Sequence, residues 1–113
     1  EHRLLAAGGQ MPWRLSGGGR SRTFPGTSWV ETNSSEVVRE LAVAGAGIAL
    51  RSLWDVSREL ANGRLRRILA QYEGSADVAI FAMHPPLPIP DPLIDAFVAF
   101  LRGLFSPQPP WEE

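Results

Sequence analysis

Two short runs in this sequence combine residue types able to hold a small ligand. Thr32-Asn33-Ser34-Ser35 is a polar run that opens a helix-like apolar pattern, and Arg51-Ser52 directly follows the apolar run GIAL at 47–50. Hydroxyls, helix-start amides and a guanidinium all donate hydrogen bonds, so together they suit a small anion or carboxylate. The same residues suit plain helix caps equally well. Residue types alone leave both readings open.

Other chemistry finds little support. There is no cysteine, which excludes disulfides, thiol nucleophiles and thiolate metal sites. His2 and His84 are far apart, with no HxxxH or HExxH spacing, so no metal is expected. Ser28, Ser34, Ser35, Ser52, Ser57 and Ser75 include no GxSxG elbow, and no two acids are paired by pattern for proton transfer. The triple glycine of SGGGRSR (16–22) lacks the Lys-Ser/Thr ending of a phosphate loop and reads as a hairpin or connecting loop. Arg14, Arg20 and Arg22, and the cluster Arg64, Arg66 and Arg67, read as solvated surface. The aromatic residues are not interleaved with a basic stripe, which argues against single-stranded nucleic acid. Neither enzyme activity nor a cofactor is expected.

The elements that must position the two runs follow from periodicity. Residues 1–12 read as irregular, as does much of the chain to residue 22, with MPWRL (11–15) a short strand candidate. Thr27–Thr32 reads as an extended segment. Asn33 is a suitable N-cap with Glu36 three positions later, and Val37, Val38, Leu41, Ala42, Ala44 and Gly45 share a helical face. Gly45 or Gly47 ends that helix, and GIAL has the unbroken apolar character of a parallel strand covered on both faces. Strand, helix and strand here make a βαβ unit, whose first and second strands deliver the two polar runs to one sheet edge. Ser52 then caps a second helix bearing Leu53, Val56 and Leu60, closed by Asn62-Gly63.

DVAIFAMH (77–84) reads as a buried strand. PPLPIPDP (85–92) breaks regular structure and ends with Asp91 and Pro92 in the N-cap and N1 positions of a last helix, roughly 92–105. That helix has the strongest apolar face in the chain: Leu93, Ile94, Phe97, Val98, Phe100, Leu101, Leu104 and Phe105. Residues 106–113 read as a loose tail. A face this apolar, behind a stiff proline-rich connector, predicts a homodimer in which residues 91–105 exchange contacts between copies.

Size and charge set the remaining bounds. The 113 residues make about one small domain, 44% hydrophobic and 20% charged, with net charge −1 and no lysine among eleven basic residues. No field of that sign draws the chain to nucleic acid or to an anionic membrane. No apolar run nears the ~20 residues of a membrane span, and no signal peptide is visible. The missing initiator methionine predicts a chain that begins within a longer protein or has been processed.

In order and spacing, TNSSEVVRELAVAGAGIAL, then W-x-V-x-x-E-L-x-x-G-x-L-x-x-x-L, then VAIFAMHP and LIDAFVAFL resemble the carboxyl-terminal half of LysR-type transcriptional regulators. The likeness runs from about Trp13 to Phe105. It implies an α/β fold like that of type 2 periplasmic binding proteins, in which two lobes enclose a small effector. Residues 13–105 would then be a partial effector-binding domain: most of the second lobe, a returning strand at 77–84 and the C-terminal helix, with mostly parallel or mixed sheet and flanking helices. Thr32, Asn33, Ser34 and Ser35 match the place where family members commonly touch effectors. Arg51-Ser52 departs from the apolar residue and proline usual there. The resemblance further implies a cytoplasmic protein that reaches DNA only through a helix-turn-helix domain this chain lacks. A free-standing solute-binding module of the same fold is the alternative, and a signal peptide upstream would favour it.

Overall fold

The parallel strand that the sequence places at Thr27–Thr32 lies instead near the N-terminus. In the computed structural model, which describes residues 2–74, 78–86 and 88–112, β1 (Leu4–Leu5) pairs in parallel with β4 (Ile48–Ala49), Leu4 opposite Ile48 and Leu5 opposite Ala49. Residues 27–32 run beside β1 without forming a ladder. Trp29 N–H donates to the Leu4 carbonyl at 2.8 Å, but the next amide, Ala6 N–H, donates to the Ser28 hydroxyl at 2.9 Å. A side chain there takes the role of a backbone carbonyl, so the strand pattern breaks. The expected βαβ unit is corrected accordingly: β1 is its first strand, and the connection to β4 includes a hairpin as well as a helix.

That hairpin corrects the irregular reading of the first 22 residues. β2 (Trp13–Gly17) and β3 (Arg20–Phe24) pair antiparallel, Trp13 opposite Phe24 and Gly17 opposite Arg20. Gly18 and Gly19 make the two-residue turn with φ of 58° and 73°, a geometry that favours glycine twice over. Period-two burial follows, with Trp13 and Leu15 buried and Arg14 and Ser16 exposed. Ser16 also exchanges two 2.8 Å backbone hydrogen bonds with Glu73.

Helix α1 (Ser35–Val43) begins one residue later than the Asn33 cap predicts. Ser34 is the N-cap; its hydroxyl accepts from Val37 N–H at 3.3 Å, and Thr32 Oγ1 accepts from Ser34 N–H at 3.1 Å. Two hydroxyls in succession fix the entry of the chain, which moves the cap from Asn33 to Ser34. Ser34→Ala should therefore cost about 1 kcal/mol of stability, read as a lower urea midpoint with an unchanged slope. The other end explains the abrupt switch to strand. Gly45, at φ 78°, donates to the Ala42 carbonyl at 3.0 Å, and Ala46 donates to Leu41 at 2.9 Å. This 6→1 and 5→2 pair is a Schellman cap, which turns the chain directly into β4.

The core sits between α1 and the parallel pair. Leu5, Ala7 and Val38 form it, with Val30, Leu41, Ala42, Ala46 and Ala49 packed around them. Leu5 and Val38 are both 0% exposed. β4 is only two residues long and half-buried, not covered on both faces as GIAL predicts. Helix α2 (Leu53–Ala61) buries Val56 and starts after Ser52 as expected, although Ser52 makes no side-chain cap bond.

The chain divides into two units between residues 77 and 78. In the second unit, the expected strand at 77–84 is not formed over 78–84, where the backbone carries no regular structure; Asp77 lies outside the described residues, as do Ser75 and, within the proline-rich connector, Leu87. Without a neighbouring strand to take its amides, an extended apolar segment gains nothing from strand geometry. Helix α3 (Pro92–Phe105) matches its predicted bounds, with the Asp91 carboxylate accepting from Leu93 N–H at 2.9 Å and Pro92 in the first turn. No residue of α3 is buried. The tail is less loose than its composition predicts: Pro110–Glu112 forms a 3₁₀ turn, and the Trp111 ring lies 5.4 Å from that of Phe105.

Among the described residues the fold is thus α/β, with three α-helices. The described residues hold one parallel and one antiparallel two-stranded sheet rather than one continuous mixed sheet.

Candidate functional site

The carboxyl ends of β1 and β4 lie on the same sheet edge because the two strands are parallel. After β1 the chain runs through Ala6, Ala7 and Gly8, and Gly8 N–H donates to the Thr32 carbonyl at 2.8 Å. This bond brings the start of α1 to that edge. Arg51 arrives there two residues after β4. The first strand of this edge is β1, not residues 27–32 as the sequence reading places it.

Three hydroxyls gather along it. Ser28 Oγ accepts from Ala6 N–H at 2.9 Å and from Val30 N–H at 3.3 Å; Thr32 Oγ1 accepts from Ser34, and Ser34 Oγ from Val37. Each hydroxyl accepts from at least one backbone amide and keeps its O–H to offer a further partner. The first amides of α1 have no carbonyl one turn back and carry the positive end of the helix dipole. An open depression of about 410 Å³ adjoins this surface, bordered by Ala6–Gly9, Met11, Gly26–Ser28 and Val30–Thr32. Glu31 is its acidic rim.

Of the six residues singled out by sequence, Thr32 lines the depression; Asn33, Ser34, Ser35, Arg51 and Ser52 do not. Thr32 and Ser34 are joined by their hydrogen bond, while Asn33 and Ser35 are exposed. The Ser52 carbonyl accepts from Asp55 N–H in the first turn of α2. Arg51 is committed elsewhere: its Nε and Nη2 donate to Asp55 Oδ2 at 2.8 and 2.6 Å. Asp55 Oδ1 accepts from Arg39 Nη1 at 3.0 Å, and Arg39 also pairs with Glu40 at 3.3 Å and Glu36 at 3.5 Å. A chain of charges thus links the start of α2 to the first turn of α1. The hydrogen bond to Glu40, followed by that to Asp55, holds the Arg39 guanidinium above its ordinary pKa.

Ser28, Gly8, Asp55 and Arg39 were not singled out from sequence. Asp55 carries a readable signal, since an acid in the first turn of α2 stands four residues after Arg51. Ser28 carries none, because its role depends on a strand 22 positions away. Among the described residues no group of three or more metal-ligating side chains occurs, and no helix is long and apolar enough to cross a membrane.

The chain is 38% identical over 66 residues to the HTH-type transcriptional activator TtdR of Escherichia coli O6:K15:H31 (strain 536 / UPEC), a stretch covering 58% of this chain and 21% of that protein. TtdR of strain K12 is 36% identical over the same length. The HTH-type transcriptional regulator DmlR of Escherichia coli (strain K12) is 32% identical over 94 residues, 83% of this chain and 30% of the relative. The matched stretches thus span between 21% and 30% of these relatives' lengths. No solved structure gives a significant match. The model of the LysR substrate binding domain matches residues 1–106, nearly the whole chain, and the chain belongs to that family.

Proposed function

We propose that this chain is the effector-sensing part of a LysR-type transcription regulator, and that the edge at β1 and α1 binds a small carboxylate or similar anion. Residues 13–105 act as a partial effector-binding domain followed by a tail, 106–113. The observation that carries the ligand class is the set of hydroxyls at Ser28, Thr32 and Ser34. Each accepts from a backbone amide and keeps an O–H donor, so the edge suits an acceptor-rich ligand. Family membership supports a ligand-controlled regulator rather than an enzyme. On this reading the protein works in the cytoplasm, needs no cofactor, forms homo-oligomers, and engages DNA through a helix-turn-helix domain.

Titration with succinate, followed by amide chemical shifts, tests the assignment. Shifts should cluster at Ser28, Thr32 and Ser34–Glu36, and neutral succinamide should produce none. Thr32→Val should weaken binding about tenfold, the scale of one hydrogen bond to a charged group. Shifts confined to other segments, or equal binding of the neutral amide, would remove the anion reading.

A further inference from the structure

Arg51 reaches the ligand edge already holding a carboxylate. Its side chain is 11% exposed and gives two donors to one oxygen of Asp55, whose side chain is 18% exposed. The other Asp55 oxygen is taken by Arg39 from α1. We propose that Asp55 is a positioning residue for the effector site, holding Arg51 in place of the ligand, and that an incoming carboxylate takes Arg51 from it. This inference rests on the anion reading above and adds the mechanism by which the site is held before it fills.

Three observations support the exchange. The Asp55 side chain has the same chemistry as the proposed ligand, so Arg51 trades one carboxylate for another with little change in its own bonding. Asp55 keeps Arg39 after Arg51 leaves, so no acid is stranded without a cation, the outcome that makes breaking a shielded ion pair costly. The linkage is also continuous. Arg39 pairs with Glu36 in the first turn of α1, so a change at Asp55 is passed to the helix whose start borders the hydroxyl edge.

Asp55 therefore competes with the ligand, and Arg39 weakens that competition by sharing Asp55. The two substitutions should act in opposite directions. Asp55→Asn should tighten succinate binding about fivefold, the factor equivalent to one partly exposed ion pair. Arg39→Ala should weaken binding, because Asp55 then holds Arg51 alone. A network that only supports the fold predicts weaker binding from both. Glu59→Gln on α2 makes the same change in net charge and should leave affinity unaltered.

Titrations of the 113-residue chain and these variants with succinate, together with the Arg51 Nε–H resonance, decide the matter. Tighter binding by Asp55→Asn, with an Arg51 resonance that moves on saturation, supports the exchange. Binding at the Thr32 edge that Asp55→Asn leaves unchanged or weakens overturns it while the anion reading stands. Equal tightening by Glu59→Gln also overturns it, leaving only a general charge effect. If neither the parent chain nor Asp55→Asn binds succinate, the anion reading falls and this inference falls with it.

Discussion

Leu5→Ala melts the first unit at a temperature lower by about 10 °C or more. Leu5 is fully buried between β4 and α1, against Val38 and Ala7. Truncating such a leucine costs roughly 2–5 kcal/mol, part from lost burial and part from the cavity left behind. A unit of this size has a total stability of only about 0.05–0.15 kcal/mol per residue, so the loss is a large share of it. Each kcal/mol moves the midpoint by about 4–8 °C in domains of this size. Thermal melting followed by far-ultraviolet circular dichroism gives the value. Leu4→Ala is the comparison: Leu4 occupies the same strand but is only half-buried, and its replacement should cost clearly less. Equal effects at the two positions would mean that the core is not centred on Leu5.

Phe97→Asp combined with Leu101→Asp is expected to convert a dimer into a monomer. Phe97 is 60% exposed and Leu93 80%, and Phe100, Leu104 and Phe105 add to the uncovered surface. Within the same unit, residues 82–84 border α3 and leave an apolar groove of about 340 Å³ against Leu93, Ile94, Phe97, Val98 and Leu101. Burying a large apolar side chain is worth about 1.5–3 kcal/mol, so several such residues left in water provide a strong reason to associate. Sedimentation velocity at micromolar concentration should give a dimer for the parent chain and a monomer for the double variant, with helix content retained. A parent chain that sediments as a monomer at that concentration counts against self-association through this face.

The helices were legible because their signals are local. Asp91-Pro92 and eight apolar positions at helical spacing define α3 without reference to any other part of the chain. The cap of α1 was missed by one position because Asn33, Ser34 and Ser35 are all good caps, and only the Thr32–Ser34 hydrogen bond decides among them. The strands were less legible. Leu4-Leu5 is too short to show alternation, and its partner lies at Ile48-Ala49, so neither end announces the pairing. Thr27–Thr32 has the composition of a strand and runs beside one, yet the Ser28 hydroxyl interrupts the ladder. Residues 77–84 carry a strand's composition as well, and composition says nothing of whether a neighbour is there to pair with it. For the site, the hydroxyl run and Arg51 were visible as residue types. What Arg51 holds was not, since a guanidinium two residues after a strand points to an anion without saying whether the anion is a ligand or Asp55.

The parallel pairing of β1 with β4 also orders events in time. The β2–β3 hairpin closes through a two-residue turn, and α1 and α2 are each stabilised by groups within a turn or two. The pairing of Leu4 with Ile48 must instead close a loop of roughly forty residues, whose entropic cost falls before any native bond compensates it. Non-local closure of this kind slows folding relative to local structure. The hairpin and helices are therefore expected to form early, and the ladder that seats Leu5 late. Until it closes, the apolar face of α1 has no leucine to cover it, and the edge that gathers Ser28 and Thr32 does not yet exist. On the proposed anion reading, competence to hold a ligand is expected to arrive with that late closure.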